Sequence, residues 1–455
     1  MSPKNINYFR KIIFSTSFSL AKPGFLKLYS DVKKNEKLSY NELKQNQEKQ
    51  LKKIINFAYS NVPYYNNLFK TNKIEPEEIK TLGDLEKIPI LTKDEINENW
   101  NQFIPRNLQN QKYINFSTGG TTGTPMRYRI SRYERFLAAA LRFQWWSWAG
   151  YKLGDKVAIM GGSSLIPKKT SITSKMQLYV QNFLSFSSFD LEDENLKKYL
   201  AILNKKKPKF LYGYASSIYF FSDWLERNDL EVYSPQAIFT TSEKLYDNMR
   251  KKIETIFNVK ILDGYGLNDG GLHAAECSEN NGYHIDTIRS IFHVIDNNGT
   301  ILDKGDGKAI ATSLYNYAMP FINYDTSDLV KLKEDFCSCG RETKMLESIT
   351  GRTVDILFTP EIKTIHGWFI LYLFWEYGDK IKRYQVIQED LKNLVIYVVP
   401  EKDEYLDEIE NNLKIIKQII WERSPNWNIK IKFVKEINQL KSGKYQFIIN
   451  NISNK

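Results

Sequence analysis

Cysteine is scarce in this chain of 455 residues, which contains only three cysteines and four histidines. Three thiols cannot form the framework of several disulfides on which small secreted proteins rely. The sequence also has no apolar run of about 20 residues, the length that a membrane-spanning helix requires. Both a disulfide-rich scaffold and a helical membrane protein are therefore disfavoured.

Acidic residues are outnumbered, because 64 Lys and Arg stand against 53 Asp and Glu and give a formal net charge of +11. A basic balance is typical of nucleic-acid binding, but no recognition helix, zinc finger or RNA-binding signature accompanies it, so no nucleic-acid partner is predicted. Anionic ligands or an anionic membrane surface explain the charge as well. The hydrophobic share of 42% is typical of a globular protein, and the length predicts two or three domains.

A short apolar stretch behind basic residues, 11–21, imitates the core of a signal peptide. The missing disulfide framework and the loop described next argue against secretion and favour a cytoplasmic protein. We expect this segment to form a helix packed on the body of the protein, and a weak contact with a membrane surface is the alternative.

What the sequence does contain is a stretch of small residues that ends at Pro125. Its members are Ser117, Thr118, Gly119, Gly120, Thr121, Thr122, Gly123 and Thr124. Glycines allow a close backbone approach and hydroxyls add donors, a composition suited to holding phosphate oxygens. No Gly-Lys-Ser/Thr follows, so this is not a Walker loop. Strand-like residues at 113–116 and 126–130 predict a strand–loop–strand unit and argue against a flexible linker.

The Ser117–Pro125 stretch resembles the phosphate-binding signature of the adenylate-forming enzymes, the superfamily of acyl-CoA synthetases, luciferases and peptide-synthetase adenylation domains. Further segments are similar to motifs of this superfamily, in the same order: Asp263–Asp269, Tyr324–Asp328, Gly351–Asp355 and Ser442–Lys444. Other segments resemble more specifically the phenylacetate–CoA ligases and their relatives in capsular polysaccharide biosynthesis: Lys207–Ser217, Thr240–Leu245 and Cys337–Arg341.

The resemblance implies that the second motif binds ATP and AMP. Tyr265 would stack on adenine, Gly264, Gly266 and Asn268 would lie beside the nucleotide, and Asp269 would coordinate Mg²⁺ and act in catalysis. Asp269 stands where relatives usually carry Glu, but Asp is also a good hard-oxygen ligand. The alternative interpretation of Asp269 is a helix N-cap.

The later motifs are assigned through the resemblance as well. Asp328 would bind both ribose hydroxyls, although Ser327 stands where relatives usually have Gly. Arg352 would contact the nucleotide, and Asp355 would be the hinge between a large and a small domain. Lys444 would be the catalytic lysine that bridges the carboxylate and the α-phosphate; taken alone, it is one more lysine of a basic tail.

All three cysteines fall between residues 277 and 339. Cys277, His284, Cys337 and Cys339 supply three thiolates and an imidazole, the donor set of a structural zinc site. Some phenylacetate–CoA ligase relatives carry such a zinc ion, which strengthens the prediction. The alternative is that they are ordinary buried or surface cysteines. His273 is expected to face the acyl group of the substrate.

Strands alternating with helices between residues 157 and 263, among them a strand at 237–241 and a helix at 244–257, predict βαβ units. We therefore predict an α/β fold with a large N-terminal domain, 1–354, whose mostly parallel sheets are flanked by helices and joined by a β-barrel-like part. Its first part, 1–110, is predicted to be helical. Residues 355–455 are predicted to form a small, mobile α+β domain that acts as a lid and carries Lys444.

The predicted function is that of an AMP-forming ligase, which activates a carboxylic acid with ATP as an acyl-adenylate and transfers the acyl group to an acceptor. The capsule likeness favours an amine or amino sugar of surface polysaccharide biosynthesis as the acceptor, and CoA is the alternative. A non-catalytic nucleotide-binding homologue is a further alternative, against which Lys444 and Asp269 argue. The sequence identifies neither the acid nor the oligomeric state.

Overall fold

The computed structural model describes residues 14, 23–117, 126–162, 165–166, 172–188, 191, 193–352, 356–361, 364–378, 380–438 and 445–452. The chain divides into two units, a large one that ends at residue 350 and a small one that begins at residue 351. The predicted boundary at Asp355 lies outside the described residues and stays a prediction.

The helices of the described part are α1 (Phe25–Asn35), α2 (Tyr40–Asn61), α3 (Pro63–Thr71), α4 (Lys93–Glu98), α5 (Arg132–Trp148), α6 (Ile172–Val180), α7 (Asp193–Lys206), α8 (Ala215–Arg227), α9 (Asp247–Phe257), α10 (Trp368–Tyr377) and α11 (Leu406–Arg423). The strands are β1 (Tyr113–Ser117), β2 (Arg127–Ser131), β3 (Val157–Gly161), β4 (Phe183–Ser187), β5 (Phe210–Tyr214), β6 (Ala237–Thr241), β7 (Ile261–Gly266), β8 (His273–Glu276), β9 (Tyr283–Ile285), β10 (Ser290–Ile295), β11 (Ile301–Leu302), β12 (Gly305–Ser313), β13 (Tyr324–Lys333), β14 (Met345–Arg352), β15 (Ile356–Phe358), β16 (Thr364–His366), β17 (Ile381–Gln388), β18 (Asn393–Pro400), β19 (Asn428–Phe433) and β20 (Ile448–Asn450).

The large unit is built on a mixed sheet with the strand order β11-β10-β12-β13-β14-β9-β8-β7-β6-β5-β3-β4. Strands β4, β3, β5, β6 and β7 pair in parallel, and helices follow each of them along the chain until β7. From β7 onward the pairing becomes antiparallel through β8 and β9, and again from β13 to β11. The predicted α/β fold, with a parallel sheet flanked by helices and a small C-terminal domain, is confirmed.

Aromatic side chains of α5 fill the space between this helix and the parallel strands. Trp145 and Trp146 are buried, and their rings pack against Tyr212 of β5 and Phe239 of β6. Phe14 is buried, and its ring packs edge-to-face against Phe143 of α5. The rest of the 11–21 segment lies outside the described residues. Among the helices described, none has the length and apolar character needed to cross a membrane.

The predicted helical N-terminal part contains α1 to α4 and short 3₁₀ turns. Helix α2 begins with a capping box, in which the Ser39 hydroxyl accepts from the Glu42 amide and the Glu42 carboxylate accepts from the Ser39 amide. Leu51, Ile54 and Ile55 are buried on one face of this helix, as expected from their spacing.

A partly buried ion pair fixes the beginning of β7. Arg250 of α9 places Nη2 at 2.7 and 2.8 Å from the two carboxylate oxygens of Glu276, and its Nη1 donates to the Ile261 carbonyl. Glu276 in turn accepts from the Asp263 amide at 2.7 Å. Burial raises the pKa of Glu276 to about 7, and Arg250 acts in the opposite direction. These contacts tie α9, β7 and β8 together.

The small unit has its own sheet, ordered β19-β18-β17-β20, together with α10 and α11. Tyr384 of β17 stacks on Phe374 of α10 with ring centroids 4.0 Å apart, and Tyr445 donates to the Tyr384 carbonyl at 2.6 Å. Val386 and Ile396 on neighbouring strands are buried beside them. The unit therefore has an independent core of α+β type, as predicted, whereas its mobility stays a prediction.

Candidate functional site

The strands on either side of the predicted phosphate loop form an antiparallel hairpin. Tyr113 pairs with Ser131 at one end, and Ser117 pairs with Arg127 at the other. The two ends of the loop are therefore adjacent, which confirms the predicted strands. The loop itself, from Thr118 through Gly119, Gly120, Thr121, Thr122 and Gly123 to Thr124, lies outside the described residues.

Two of the predicted nucleotide-binding residues meet directly. Tyr265, near the end of β7, donates its hydroxyl to Asp328 Oδ2 of β13 at 2.6 Å. These residues are 63 positions apart in the sequence, and Asp328 is only 4% exposed. Since the tyrosine hydroxyl is anchored to the carboxylate, the orientation of its ring is fixed with respect to Asp328.

Asp269 lies in the turn between β7 and β8, where it is half-buried and Tyr324 donates to its Oδ2 at 3.2 Å. No helix follows this turn, so the alternative interpretation of Asp269 as a helix N-cap is wrong. Its other carboxylate oxygen has no hydrogen-bond partner among the described residues. Asp269 therefore keeps acceptor capacity for a cation or a ligand donor.

The glycines of this motif differ in their surroundings. A Cβ at Gly264 would lie 2.5 Å from Cη2 of Trp145, so the missing side chain lets the indole pack directly beneath β7. Gly266 and Asn268 are exposed beside Asp269. Ser327, before Asp328, has a φ of +62°, a left-handed conformation that explains why Gly would be favoured there.

An ion pair that the sequence analysis missed lies under the Asp269 turn. Arg289 Nε donates to Glu134 Oε1 at 2.6 Å, and both side chains are almost fully buried. The residues are 155 positions apart, so no local pattern in the sequence indicates their contact. Tyr324 is the first residue of the Tyr324–Asp328 motif, but the sequence carried no indication that it bonds Asp269.

A cavity of about 50 Å³ adjoins this region on the side of α5. Leu141, Gln144, Trp145, His273 and Ile288 contribute to its lining. Burial lowers the pKa of His273 to about 3, and Arg289 adds to this effect, so the imidazole is neutral at pH 7. His273 thus faces a small space that His284 and Arg341 also line.

The structure brings the four predicted metal ligands together. Cys277 follows β8, His284 lies in β9, and Cys337 and Cys339 follow β13. The donor atoms of Cys277, His284, Cys337 and Cys339 all lie within 4.8 Å of one another. The Cys277 and Cys337 sulfurs are 3.7 Å apart, and Cys339 Sγ is 3.4 Å from His284 Nε2. A tetrahedral zinc ion with Zn–S bonds of about 2.3 Å would separate its sulfur ligands by about 3.8 Å, which these donors fit.

The protonation state of His284 suits a metal, whereas that of Cys277 opposes one. Burial lowers the pKa of His284 to about 4, and Arg341 lowers it further, so its imidazole is neutral. His284 Nδ1 lies 2.9 Å from Thr343 Oγ1, which orients Nε2 toward the sulfurs. Burial raises the pKa of the Cys277 thiol to about 12, so metal binding would have to release its proton.

The remaining predicted residues are not placed. Arg352 ends β14, but its side chain lies outside the described part, as do Asp355 and Lys444. Their predicted roles in nucleotide contact, hinge motion and catalysis stay predictions.

The fold of this chain is that of an adenylate-forming ligase. The structure of 2-hydroxyisobutyryl-CoA ligase in the postadenylation state, in complex with R3-HIB-AMP, matches with a TM-score of 0.73 at 16% identity and 91% coverage of each chain. The same ligase in complex with 2-HIB-AMP and CoA, in the thioesterification state, matches with a TM-score of 0.61 at 18% identity and 91% coverage of each chain.

The more particular likeness is to two groups of curated proteins. Protein CapK of Staphylococcus aureus is 26% identical over 419 residues, which is 90% of each chain. The phenylacetate-coenzyme A ligase of Aromatoleum evansii is 27% identical over 343 residues, covering 72% of this chain and 74% of the relative. Residues 357–451 match the family model of the CapK C-terminal domain. The predicted resemblance to adenylate-forming enzymes, phenylacetate–CoA ligases and their capsule relatives is confirmed.

Proposed function

We propose that this protein activates a carboxylic acid with ATP and then transfers the acyl group to an acceptor. A carboxylate oxygen would attack the α-phosphate, and the bond to the β-phosphate oxygen would break, so that pyrophosphate leaves. The observation that carries this proposal is the convergence of Tyr265 with Asp328 and of Asp269 with Tyr324. Two hydrogen bonds thereby join the motif at the end of β7 to the motif at the start of β13.

The residues of these motifs have tasks that suit their chemistry. The Asp328 carboxylate would accept both ribose hydroxyls, because a carboxylate offers acceptor sites to two donors at once. Tyr265 would present its ring to adenine, and Asp269 would hold Mg²⁺, which neutralises phosphate charge when bound. Ser117 through Thr124 would surround the departing phosphates, with Gly264, Gly266, Asn268 and Arg352 beside the nucleotide.

Lys444 is proposed as the residue that supplies positive charge between the carboxylate and the α-phosphate. A flexible ammonium group is suited to neutralising charge that develops during the attack. Asp355 is proposed as the hinge that lets the small C-terminal domain act as a lid.

The acceptor is proposed from the names of the relatives. CoA is supported by the ligases named above, of which one is seen with CoA. An amine or amino sugar of surface polysaccharide biosynthesis is supported by the CapK likeness, which extends over 90% of the chain and includes the C-terminal family match.

We further propose that Cys277, His284, Cys337 and Cys339 hold one structural zinc ion. The support is the donor set, its spacing and its burial. A site closed by four protein ligands leaves no position for substrate, so its contribution would be to the stability of the fold.

The test is a screen of carboxylic acids with purified protein, ATP and Mg²⁺, in which pyrophosphate release is measured and the nucleotide product is separated. We expect one class of acid to yield AMP and pyrophosphate. Formation of only ADP and phosphate would refute the proposal. With the active acid, CoA, glucosamine and hydroxylamine are then offered as acceptors, and mass spectrometry of the acyl product distinguishes transfer to CoA from transfer to an amine.

A further inference from the structure

The buried ion pair of Glu134 and Arg289 connects two segments that the proposed reaction needs. Glu134 lies in the first turn of α5, and Arg289 directly precedes β10. Their Nε–Oε1 distance is 2.6 Å, and the side chains of Arg289 and Glu134 are 4% and 1% exposed. Water therefore has almost no access to either charge.

On one side, the pair contacts the turn that carries Asp269. Arg289 Nη1 lies 3.4 Å from the Leu267 carbonyl oxygen, and its Nη2 lies 3.5 Å from Asn268 Oδ1. Gly271, at the other end of the turn, has a φ of +75°, and a Cβ there would lie 2.9 Å from Glu134 Oε1. The turn around Asp269 thus closes directly on the two charged side chains.

On the other side, the pair is tied to the hairpin of the phosphate loop. The Glu134 amide donates to Ser131 Oγ at 3.2 Å, and Ser131 is the last residue of β2. The backbone amide of Arg289 donates to the Asp286 carboxylate at 3.0 Å, which fixes the backbone position from which the arginine side chain extends. The β1–β2 hairpin and the Asp269 turn are therefore connected to each other through Glu134 and Arg289.

A buried ion pair is weak evidence of stability, because desolvation of the two charges offsets much of their attraction. The planar guanidinium group, however, directs its donors along fixed lines, which lysine cannot reproduce. We infer that Glu134 and Arg289 are positioning residues that hold the Asp269 turn in register with the β1–β2 hairpin for the binding of ATP and Mg²⁺. This inference rests on the proposed function.

The test compares Arg289→Lys with Arg250→Lys in the full-length protein. Both arginines pair with a buried glutamate, but Arg250 is itself only partly buried and contacts Glu276 and Ile261 rather than the Asp269 turn. We expect both variants to lower the melting temperature. Only Arg289→Lys should weaken ATP–Mg²⁺ binding in calorimetry, by about 10-fold, the lower end of the range for outer-shell partners of a ligand site. Only this variant should also speed amide exchange at residues 267–271 in the absence of nucleotide.

Equal ATP–Mg²⁺ affinity and unchanged exchange in Arg289→Lys would overturn the inference while leaving the proposed function intact. If Arg289→Lys does not fold, the charge-free pair Glu134→Gln with Arg289→Gln replaces it, and the same losses are expected. A wild-type protein that binds no ATP–Mg²⁺ would instead refute the proposed function. In that case the amide exchange rates of Arg289→Lys alone test the positioning role. Unchanged rates at residues 267–271 would contradict it.

Discussion

Two groups of polar side chains lie on or beside neighbouring strands of one sheet, yet their donor atoms are arranged in different ways. They are the cysteine–histidine cluster and the carboxylate face, which consists of Tyr265, Asp269, Tyr324 and Asp328. In the cluster, Cys277, His284 and Cys337 are buried and their donor atoms point at one another. On the carboxylate face, Asp269 bonds one tyrosine hydroxyl and keeps an oxygen without a hydrogen-bond partner among the described residues. A donor set that converges on itself suits a structural ion, whereas one with unused capacity suits a ligand that comes and goes.

The largest effect is expected from breaking the cluster. Cys337→Ser should remove about one zinc ion per chain and lower the free energy of unfolding by about 4 kcal/mol or more, because metal binding is coupled to folding. Metal analysis and thermal unfolding measure the two losses. Ser338→Ala, at the exposed neighbouring position, is the control and should keep both. Metal-free wild-type protein of full stability would show that the cluster is not a zinc site.

A change on the carboxylate face should have the opposite signature. Asp269→Asn keeps the size of the side chain but removes its charge, so adenylate formation should fall by a factor on the order of 10², with the melting temperature nearly unchanged. Single-turnover pyrophosphate release measures this rate. Asp306→Asn, an exposed carboxylate on β12, is the matched control and should retain full activity. An equally active Asp269→Asn variant would move the metal-binding role to another residue.

His293, on β10, is a buried histidine outside the cysteine–histidine cluster, and its pKa is lowered as well. Burial lowers its pKa to about 4, against an ordinary value of 6.5, and the neighbouring Asn323 acts in the opposite direction. Because the folded pKa is depressed, the stabilising contribution is complete above pH 6.5 and is lost as the pH falls toward 4. The stability difference between wild type and His293→Gln should therefore change by about 2 kcal/mol between pH 7 and pH 5. Denaturant unfolding at both values measures it, and a constant difference would show that His293 titrates normally.

The smallest effect concerns the backbone next to Asp328. Ser327 adopts a left-handed conformation that costs a non-glycine residue about 1 kcal/mol, so Ser327→Gly should be neutral or stabilising by up to about 1 kcal/mol. Activity should be retained, since the change relieves the backbone without touching the carboxylate. Ser327→Ala, with the same φ requirement, is the comparison variant. A clear loss of ATP affinity in Ser327→Gly would instead assign the serine hydroxyl to the nucleotide site.

The sequence predicted regular elements well where a local pattern determines them. The β6 strand was predicted with its observed limits, Ala237–Thr241, because its apolar run is buried in the parallel sheet. The following helix was predicted from Lys244 but begins at Asp247. Ser242 takes a left-handed φ of +70°, and Glu243 accepts from the Ser216 amide, so tertiary contacts delay the helix.

The candidate site was predictable only as far as its motifs reach. The family resemblance assigned Tyr265 and Asp328 to the same nucleotide, and the scarcity of cysteine made the candidate metal ligands easy to recognise. Glu134 and Arg289 could not be found in this way, because two charged residues far apart in a chain rich in charge carry no signal of their contact. Gly264 was assigned to the nucleotide, which stays a prediction, and the structure adds a packing requirement from Trp145 that the sequence did not indicate.

Activation by adenylation requires that a carboxylate oxygen of the acid form a bond with the α-phosphate of ATP. The most direct measurement uses the acid identified by the screen with both carboxylate oxygens replaced by ¹⁸O, followed by mass spectrometry of AMP after acyl transfer. Since the acyl–oxygen bond breaks in the second step, we expect AMP that carries one ¹⁸O atom. Unlabelled AMP, or ¹⁸O appearing in phosphate released with ADP, would contradict it.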